Sequence, residues 1–311
     1  MSIEIQNLSK AYRGKNGVVQ ANDRISFAIA EKRCVGIFGT NGCGKTTLVR
    51  QILGIVQPDD GQILIDGMSL INLRKQRNYP VGYVSQTAYA SLWLLKVREC
   101  FQVIADLRKI SRDEASKQQE DLFKYFGLPT SYLDRIFYTL SGGQRRMICL
   151  CLAFVGNPKY MILDEPSNDL DPEYRIRLWQ YLAHCKNEGM SVVLVTHSLA
   201  EVESVIDEFA LLDQGKLVSY LSIHEMKEKY QDWNKIRLYY GNQDCFVQAE
   251  EKFKYEPIAM RSNTVSRMIE IFIPKHDYGV YRNMTAGVLN VECEGITLED
   301  YCFGISKKKD H

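Results

Sequence analysis

The amino-acid sequence predicts an α/β protein with a mainly parallel sheet. Four short runs are apolar or β-branched and nearly continuous, which is typical of strands that are buried on both faces. These runs are Cys34–Phe38, Val81–Val84, Tyr160–Leu163 and Ser191–Val195. Helical patterns lie between them, for example at Lys45–Leu53 and Glu173–Asn187. Because strands and helices alternate along the chain, the pattern favours a layered α/β domain.

The segment from Ser91 to about Phe137 departs from this alternation. It has a helical pattern throughout, with helices predicted at Val97–Ile110 and at Arg112–Phe126, just before Gly127. A glycine at that position is a common helix stop. We interpret the segment as a helical insertion in the α/β domain.

The character of the chain changes again after Gly215. Strands are predicted at Ile236–Tyr240 and Met268–Ile273. We therefore expect a main domain over residues 1–222 and a small C-terminal α/β domain over residues 223–311.

The composition narrows the function classes. The chain has 311 residues, 45% of them apolar, and a net charge of +1, which argues against a nucleic-acid binder. Its longest apolar run, Met147–Val155, is too short to span a bilayer, and the N-terminus shows no secretory signal. The nine cysteines are scattered without a C-x-x-C pair, which favours reduced thiols in the cytosol.

A glycine-rich loop follows the first predicted buried strand and fits the pattern G-x-x-x-x-G-K-[ST]. Its glycines allow consecutive N–H groups to surround a phosphate, and the following helix adds partial positive charge. Lys45 can reach the β- and γ-phosphates of a nucleotide, and the Thr46 hydroxyl can bind Mg²⁺. The predicted ATP-binding loop comprises Gly39, Thr40, Asn41, Gly42, Cys43, Gly44, Lys45, Thr46 and Thr47.

Two carboxylates end the predicted strand Tyr160–Leu163. Carboxyl ends of parallel strands meet at one edge of a sheet, so Asp164 and Glu165 should lie beside the phosphate loop. Asp164 can then reach the Mg²⁺, and Glu165 can polarise the attacking water. An acidic turn before Pro166 is the structural alternative for this pair.

A second glycine motif precedes a predicted helix over Arg145–Val155. Ser141, Gly142, Gly143 and Gln144 form either a second anion-binding nest or a simple helix cap. The chain resembles the ATP-binding-cassette ATPases of ABC transporters in the order of five segments. These are the phosphate loop, Leu140–Gln144, Leu163–Pro166, Leu170–Asp171 and Thr196–His197. The resemblance covers about residues 1–220.

The resemblance implies a P-loop NTPase fold. Its RecA-like core would have a mainly parallel sheet, with an antiparallel β subdomain and a helical subdomain at about residues 88–150. It also implies a head-to-tail dimer, in which Ser141–Gln144 contact the ATP held by the other subunit. The partner cassette can be identical or different.

The resemblance further assigns single residues. Tyr12 would stack on adenine, with a core tyrosine as the alternative. Glu165, His197 and Gln86 would be catalytic, with His197 touching the γ-phosphate, and Thr46, Gln86 and Asp164 would hold Mg²⁺. Asp171 would lie in a loop at the dimer interface. Asp169 departs from the family, since many relatives have a small residue there.

Separate transmembrane permease subunits are implied as partners, because no span is expected in this chain. We expect a cytoplasmic ATPase on the inner face of the membrane, with no nucleic acid. Leu152, where importers often carry arginine, favours export. The segment Gly295–Phe303 resembles the end of antibiotic- and bacteriocin-type export ATPases, although a helix cap at Thr297 explains it equally well. The alternatives are a soluble ATPase acting on ribosomes or DNA, or a regulatory binder without hydrolysis, which Glu165 and His197 oppose.

Overall fold

The computed structural model of the chain describes residues 2–14, 17–76, 80–85, 92–254, 259–277, 279 and 287–305. The chain divides into two units. The first consists of Met1–Ser198 with Ser204–Tyr220, and the second of Leu199–Glu203 with Leu221–His311. No pattern in the sequence assigns the short segment Leu199–Glu203 to the second unit.

The first unit begins with an antiparallel sheet in the order β2-β1-β4-β5. Its inner face is apolar because Ile3 and Ile5 of β1 alternate with polar residues and pair with apolar residues of both neighbours. The strands are β1 (Ser2–Gly14), β2 (Gly17–Ala30), β4 (Asp60–Ile65) and β5 (Met68–Ser69).

The central sheet of the first unit has the order β10-β9-β3-β8-β7-β6. The pairs β9–β3, β3–β8, β8–β7 and β7–β6 are parallel, which confirms the predicted sheet. All five residues of β7 and all five of β8 are buried, as continuous apolar runs require. The strands are β3 (Cys34–Gly39), β6 (Val81–Val84), β7 (Tyr160–Asp164), β8 (Ser191–Val195), β9 (Glu208–Asp213) and β10 (Lys216–Ser222).

The first unit contains six α-helices within its described residues, and α3 and α4 lie in the segment predicted to be helical. The predicted helix over Arg112–Phe126 is confirmed, and it ends at Gly127 in the left-handed conformation. The helix predicted from Arg145 begins earlier, at Gly142, because Ser141 caps its N-terminus. The helices are α1 (Lys45–Ile52), α2 (Leu70–Gln76), α3 (Val97–Arg108), α4 (Arg112–Phe126), α5 (Gly142–Phe154) and α6 (Pro172–Asn187).

The second unit is built on an antiparallel sheet in the order β12-β13-β11-β14. Its elements are α7 (Leu199–Val202), α8 (Ile223–Lys229), β11 (Trp233–Tyr240), α9 (Gln243–Lys254), β12 (Ala259–Asn263), β13 (Met268–Pro274), β14 (Val288–Gly295) and α10 (Leu298–Asp300), which is followed by a π-helical turn (Tyr301–Ile305).

The two faces of this sheet differ in chemistry. One face packs Ile236, Leu238 and Ile271 against Phe246 and Phe253 of α9. The other face carries a network of ion pairs, in which the buried Lys235 bonds Asp300 at 3.1 Å. Asp300 also accepts from the backbone N–H of Thr297, so one carboxylate joins the start of α10 to the sheet.

Within the part of the chain that the structure describes, no helix is long and apolar enough to cross a membrane.

Candidate nucleotide-binding site

The predicted phosphate loop lies between the end of β3 and the start of α1. Gly39 and Gly44 have φ values of 144° and 105°, which favour glycine. A Cβ on Gly44 would lie 2.1 Å from the carbonyl oxygen of Ala21, and one on Gly39 would lie 2.2 Å from that of Leu212. Both positions therefore need glycine for conformation and for space. Gly44, the N-cap residue of α1, has no side chain with which to cap the helix, so the N–H groups at that end can bind an anion.

The side chain of Lys45 is held by backbone carbonyls of the phosphate loop. The ammonium Nζ donates to the carbonyl oxygens of Gly39 at 2.8 Å and Thr40 at 3.0 Å. The Cys43 thiol lies 3.9 Å away, and burial raises its pKa above the ordinary value. The lysine is therefore the charged group of the loop, with a neutral thiol beside it.

One cavity of about 250 Å³ brings together residues that are distant in the sequence. It joins the loop to both carboxylates of β7 and to the aromatic predicted to stack on adenine. The lining residues are Tyr12, Val19, Ala21, Asn41, Gly42, Gly44, Lys45, Thr46, Thr47, Asp164, Glu165 and Val195. Sequence reasoning missed Val19, which pairs with Tyr12 across β1 and β2 and is the more exposed of the two, at 66% against 41%.

Asp164 is the last residue of β7, and Glu165 follows it, at the carboxyl edge of the central sheet. Burial raises the pKa of the Asp164 carboxyl above its ordinary value, and the neighbouring Glu165 raises it further, while Arg146 and Lys45 oppose the rise. Glu165 adopts a φ of 50°, which is uncommon for a residue with a side chain. Its N–H donates to the carbonyl of Val195 at 2.7 Å, which ties it to the end of β8.

The side chain of Glu165 is oriented by two residues that follow β8. Its Oε2 accepts a hydrogen bond from the Thr196 hydroxyl at 3.0 Å. Its Oε1 lies 2.8 Å from Nδ1 of His197. The Thr196 side chain is buried, whereas that of His197 is largely exposed. The arrangement can hold a carboxylate in one direction beside a phosphate and present an imidazole to solvent or to a ligand.

Ser141–Gln144 form the start of α5. The Ser141 hydroxyl accepts from the N–H of Gln144 at 3.3 Å, and Gln144 Oε1 accepts from the N–H of Ser141 at 3.0 Å. This is a capping box. Gln144 also donates to the Tyr132 hydroxyl at 2.9 Å. A Cβ on Gly143 would lie 2.6 Å from the carbonyl oxygen of Asp169, so glycine allows that close approach.

The structure does not bring every predicted site residue together. The four residues Ser141–Gln144 are not among those that line the cavity of the phosphate loop. Asp171 lies at the N-cap of α6, before Pro172. Gln86 lies outside the described residues. Arg146, a buried arginine whose guanidinium bonds the backbone of Asp164 and Glu165, is a functional candidate that sequence reasoning missed.

The site combines a glycine-rich loop before a helix, a lysine in that loop, and two carboxylates at the end of β7, which is two strands from β3 in the sheet. This combination defines a nucleoside-triphosphate site of the phosphate-loop class. Residues 22–168 match the protein family described as ABC transporter. The chain is 31% identical to Nod factor export ATP-binding protein I of Rhizobium johnstonii, over 78% of this chain and 76% of that protein.

Two further relatives extend the comparison. ATP-binding cassette sub-family A member 7 of Mus musculus is 33% identical over 73% of this chain, and the match spans only 10% of that much longer protein. A dimeric, post-hydrolysis ATP-binding cassette bound to ADP and Pi superposes with a TM-score of 0.64 at 23% identity, over 71% of this chain and 98% of that one. The chain therefore belongs to the ABC transporter family, as an ATP-binding cassette of its ATPase class.

Proposed function

We propose that the chain is the ATP-hydrolysing subunit of a transporter, which dimerises on ATP and drives separate membrane-spanning permease subunits. The observation that carries the proposal is the orientation of Glu165 by Thr196 and His197 at the wall of the cavity that also contains Lys45. The same cavity is lined by the phosphate loop and by the exposed Tyr12.

Different residues at the cavity would bind the base, bind the phosphates and activate the attacking water. Tyr12 would stack on adenine, and the N–H groups of the loop together with Lys45 would bind the phosphates. Glu165 would polarise the water that attacks the γ-phosphate, since its carboxylate is held in place by Thr196. His197 would touch the γ-phosphate from its exposed position beside Glu165.

Magnesium fits the donor set of this cavity. The Thr46 hydroxyl and the Asp164 carboxylate line it together, and both are oxygen ligands of the kind that Mg²⁺ takes. The ion would neutralise charge on the phosphates. The role assigned to Gln86 at the same ion remains a prediction.

A dimer would complete the site. Ser141–Gln144 present a capped helix start outside the cavity of their own chain, so they are available to the nucleotide of a second cassette. The relative bound to ADP and Pi is itself dimeric. Asp171 and Asp169, next to Gly143, would lie in the same interface.

An exposed apolar surface supports docking to a membrane partner. It consists of Trp93, Leu94, Ile136 and Tyr138, all at least one third exposed. The two segments are joined by hydrogen bonds from Phe137 N–H to the Leu95 carbonyl at 2.8 Å and from Tyr138 N–H to the Trp93 carbonyl at 3.1 Å. Contiguous exposed apolar side chains mark interaction sites. We name these four residues the docking patch.

Export is the direction we propose, with the chain at the cytoplasmic face of the membrane. The likeness to a Nod factor export ATP-binding protein supports it, as does Leu152. Assignment to the antibiotic- and bacteriocin-type branch depends on the segment Gly295–Phe303 alone. In that segment Leu298 and Asp300 are buried, so a structural role in the second unit accounts for them as well.

The test combines ATPase assays with membrane recovery. We expect the chain to hydrolyse ATP and to co-purify with hydrophobic permease chains. Leu94→Asp, in the docking patch, should abolish recovery with membranes and leave ATP affinity unchanged. Leu107→Asp, at a position on α3 that is 72% exposed against 82% for Leu94, should behave like the wild type. Recovery with ribosomes and not with membranes would favour the soluble alternative.

A further inference from the structure

Arg146 carries a buried positive charge beside the hydrolytic residues. It lies in the second turn of α5 and is only 5% exposed. Its Nη2 donates to the carbonyl oxygen of Asp164 at 2.8 Å, and its Nε donates to that of Pro166 at 3.3 Å. It also donates to the carbonyls of Glu165 and Ser85. A guanidinium has five N–H donors in a planar fork, so a single side chain can serve four acceptors.

The four acceptors belong to two neighbouring strands. Ser85 directly follows β6, and Asp164–Pro166 end and follow β7, its parallel partner in the central sheet. Three successive carbonyls thus turn towards one side chain. The Arg146 guanidinium therefore fastens α5 to the backbone that bears both carboxylates of the cavity.

The backbone conformation of Glu165 needs such support. A positive φ is unfavourable for a residue with a Cβ, and it persists where the surroundings hold it. Arg146 bonds the Glu165 carbonyl on one side, and Val195 accepts the Glu165 N–H on the other. This turn sends the carboxylate of Glu165 to Thr196 and His197.

We propose that Arg146 is a positioning residue for ATP hydrolysis, which fixes the backbone turn of Glu165 and couples it to the helix that starts at Ser141. The second half of this statement rests on the proposed dimer. In that dimer Ser141 contacts the partner's nucleotide, so a movement of α5 on binding it would reach Glu165 of the same chain through one side chain. Arg146 would link the two ATP sites.

The first test separates positioning from simple stability. Arg146→Lys keeps the charge but cannot reach four carbonyls, and we expect kcat to fall at least about tenfold while the ATP dissociation constant changes less than about threefold. Arg108→Lys is the matched control. A guanidinium N–H of Arg108 also donates to a backbone carbonyl, that of Val155, but neither residue lines the cavity. Arg108→Lys should retain both constants. Equal behaviour of the two variants would overturn the proposal.

A second test asks whether Arg146 acts through Glu165. In a Glu165→Gln background, Arg146→Lys should lower the single-turnover rate less than about twofold, because the residue it positions is already inactive. A further tenfold loss would contradict the proposal. If neither Arg146→Lys nor Arg146→Gln yields a folded chain, the role of Arg146 is structural and the proposal is wrong.

The outcome is distinguishable from failure of the proposed function. A wild-type chain that hydrolyses ATP but forms no dimer would refute the coupling of two sites. The kcat loss of Arg146→Lys would still identify the positioning of Glu165 within one chain.

Discussion

Oε1 of Glu165 lies 2.8 Å from Nδ1 of His197, and the two residues come from the ends of neighbouring parallel strands. The pair is possible because β7 and β8 run in the same direction, so both carboxyl ends open on the same edge of the sheet. Thr196 adds a second bond to the same carboxylate at 3.0 Å. The orientation of the Glu165 carboxylate thus follows from strand order.

The hydroxyl of Thr196 should matter for turnover. Thr196→Val keeps the shape but removes the donor to Glu165 Oε2, and hydrogen bonds to charged groups are worth about 1.5–3 kcal/mol. We expect kcat to fall roughly ten- to hundredfold with little change in ATP affinity. Thr130→Val, at an exposed position, is the control in the same steady-state assay. Wild-type turnover in Thr196→Val would mean that Glu165 does not depend on this bond.

Lys45 should contribute to nucleotide binding. Lys45→Ala removes the ammonium that lies among the carbonyls of the loop, and with it the point charge for the phosphates. We expect ATP affinity to fall at least about tenfold by calorimetry. Lys227→Ala removes a lysine that pairs with Glu203 at 3.0 Å and does not line the cavity, so it should bind ATP normally. Unchanged affinity in Lys45→Ala would contradict the assigned role.

The raised pKa of Asp164 predicts a conflict between stability and function. A carboxyl whose pKa is higher in the folded chain than in the unfolded one stabilises the fold at low pH and loses that contribution as the pH rises. Asp164→Asn cannot ionise, so it should melt at a higher temperature than the nucleotide-free wild type at neutral pH. The difference should shrink towards pH 4 or so, near the ordinary pKa of aspartate.

Asp59→Asn is the control, and its melting temperature should change in the opposite direction. Lys10 holds the pKa of the Asp59 carboxyl below its ordinary value, so Asp59→Asn should melt lower than the wild type at neutral pH. Asp164→Asn should also lose magnesium-dependent ATP binding. A lower melting temperature for Asp164→Asn at neutral pH would show that burial does not dominate at this carboxylate.

Asp300 should be essential for the stability of the second unit. It is buried and accepts from the buried Lys235 at 3.1 Å, so Asp300→Ala removes one of the two carboxylates on this ammonium and leaves Glu294, also at 3.1 Å. Removing the partner of a buried charge costs about 3–5 kcal/mol, and the remaining bond to Glu294 should hold the loss near or below the lower end of that range. Glu299→Ala, at the exposed neighbouring position, should have little effect. Denaturation followed by Trp233 in a Trp93→Phe, Trp179→Phe background measures this unit, and equal midpoints for both variants would contradict the prediction.

The sequence was informative where structure is local. The strands Val81–Val84 and Ser191–Val195 have the predicted bounds, because a run buried on both faces stands out from its polar flanks. The phosphate loop was recognisable because its conformation requires glycine at fixed positions. At Gly44, for example, a Cβ would lie 2.1 Å from the carbonyl oxygen of Ala21.

The sequence did not predict contacts between residues that are far apart along the chain. Arg146 meets Asp164 across 18 residues and Ser85 across 61, and no spacing rule connects them. Val19 joins the cavity only through the pairing of β1 with β2. The segment Leu199–Glu203 belongs to the second unit, where the Glu203 carboxylate accepts the N–H of Leu298 at 3.2 Å across 95 residues.

The most direct test of the account is the behaviour of Glu165→Gln with ATP. The variant keeps the size of the side chain but cannot polarise water, so it should bind ATP with wild-type affinity, hydrolyse it at least about a hundredfold more slowly and accumulate as a dimer in sedimentation experiments. Thr130→Val should turn over ATP like the wild type under the same conditions. A Glu165→Gln chain that hydrolyses ATP at the wild-type rate and remains a monomer would contradict the central claim.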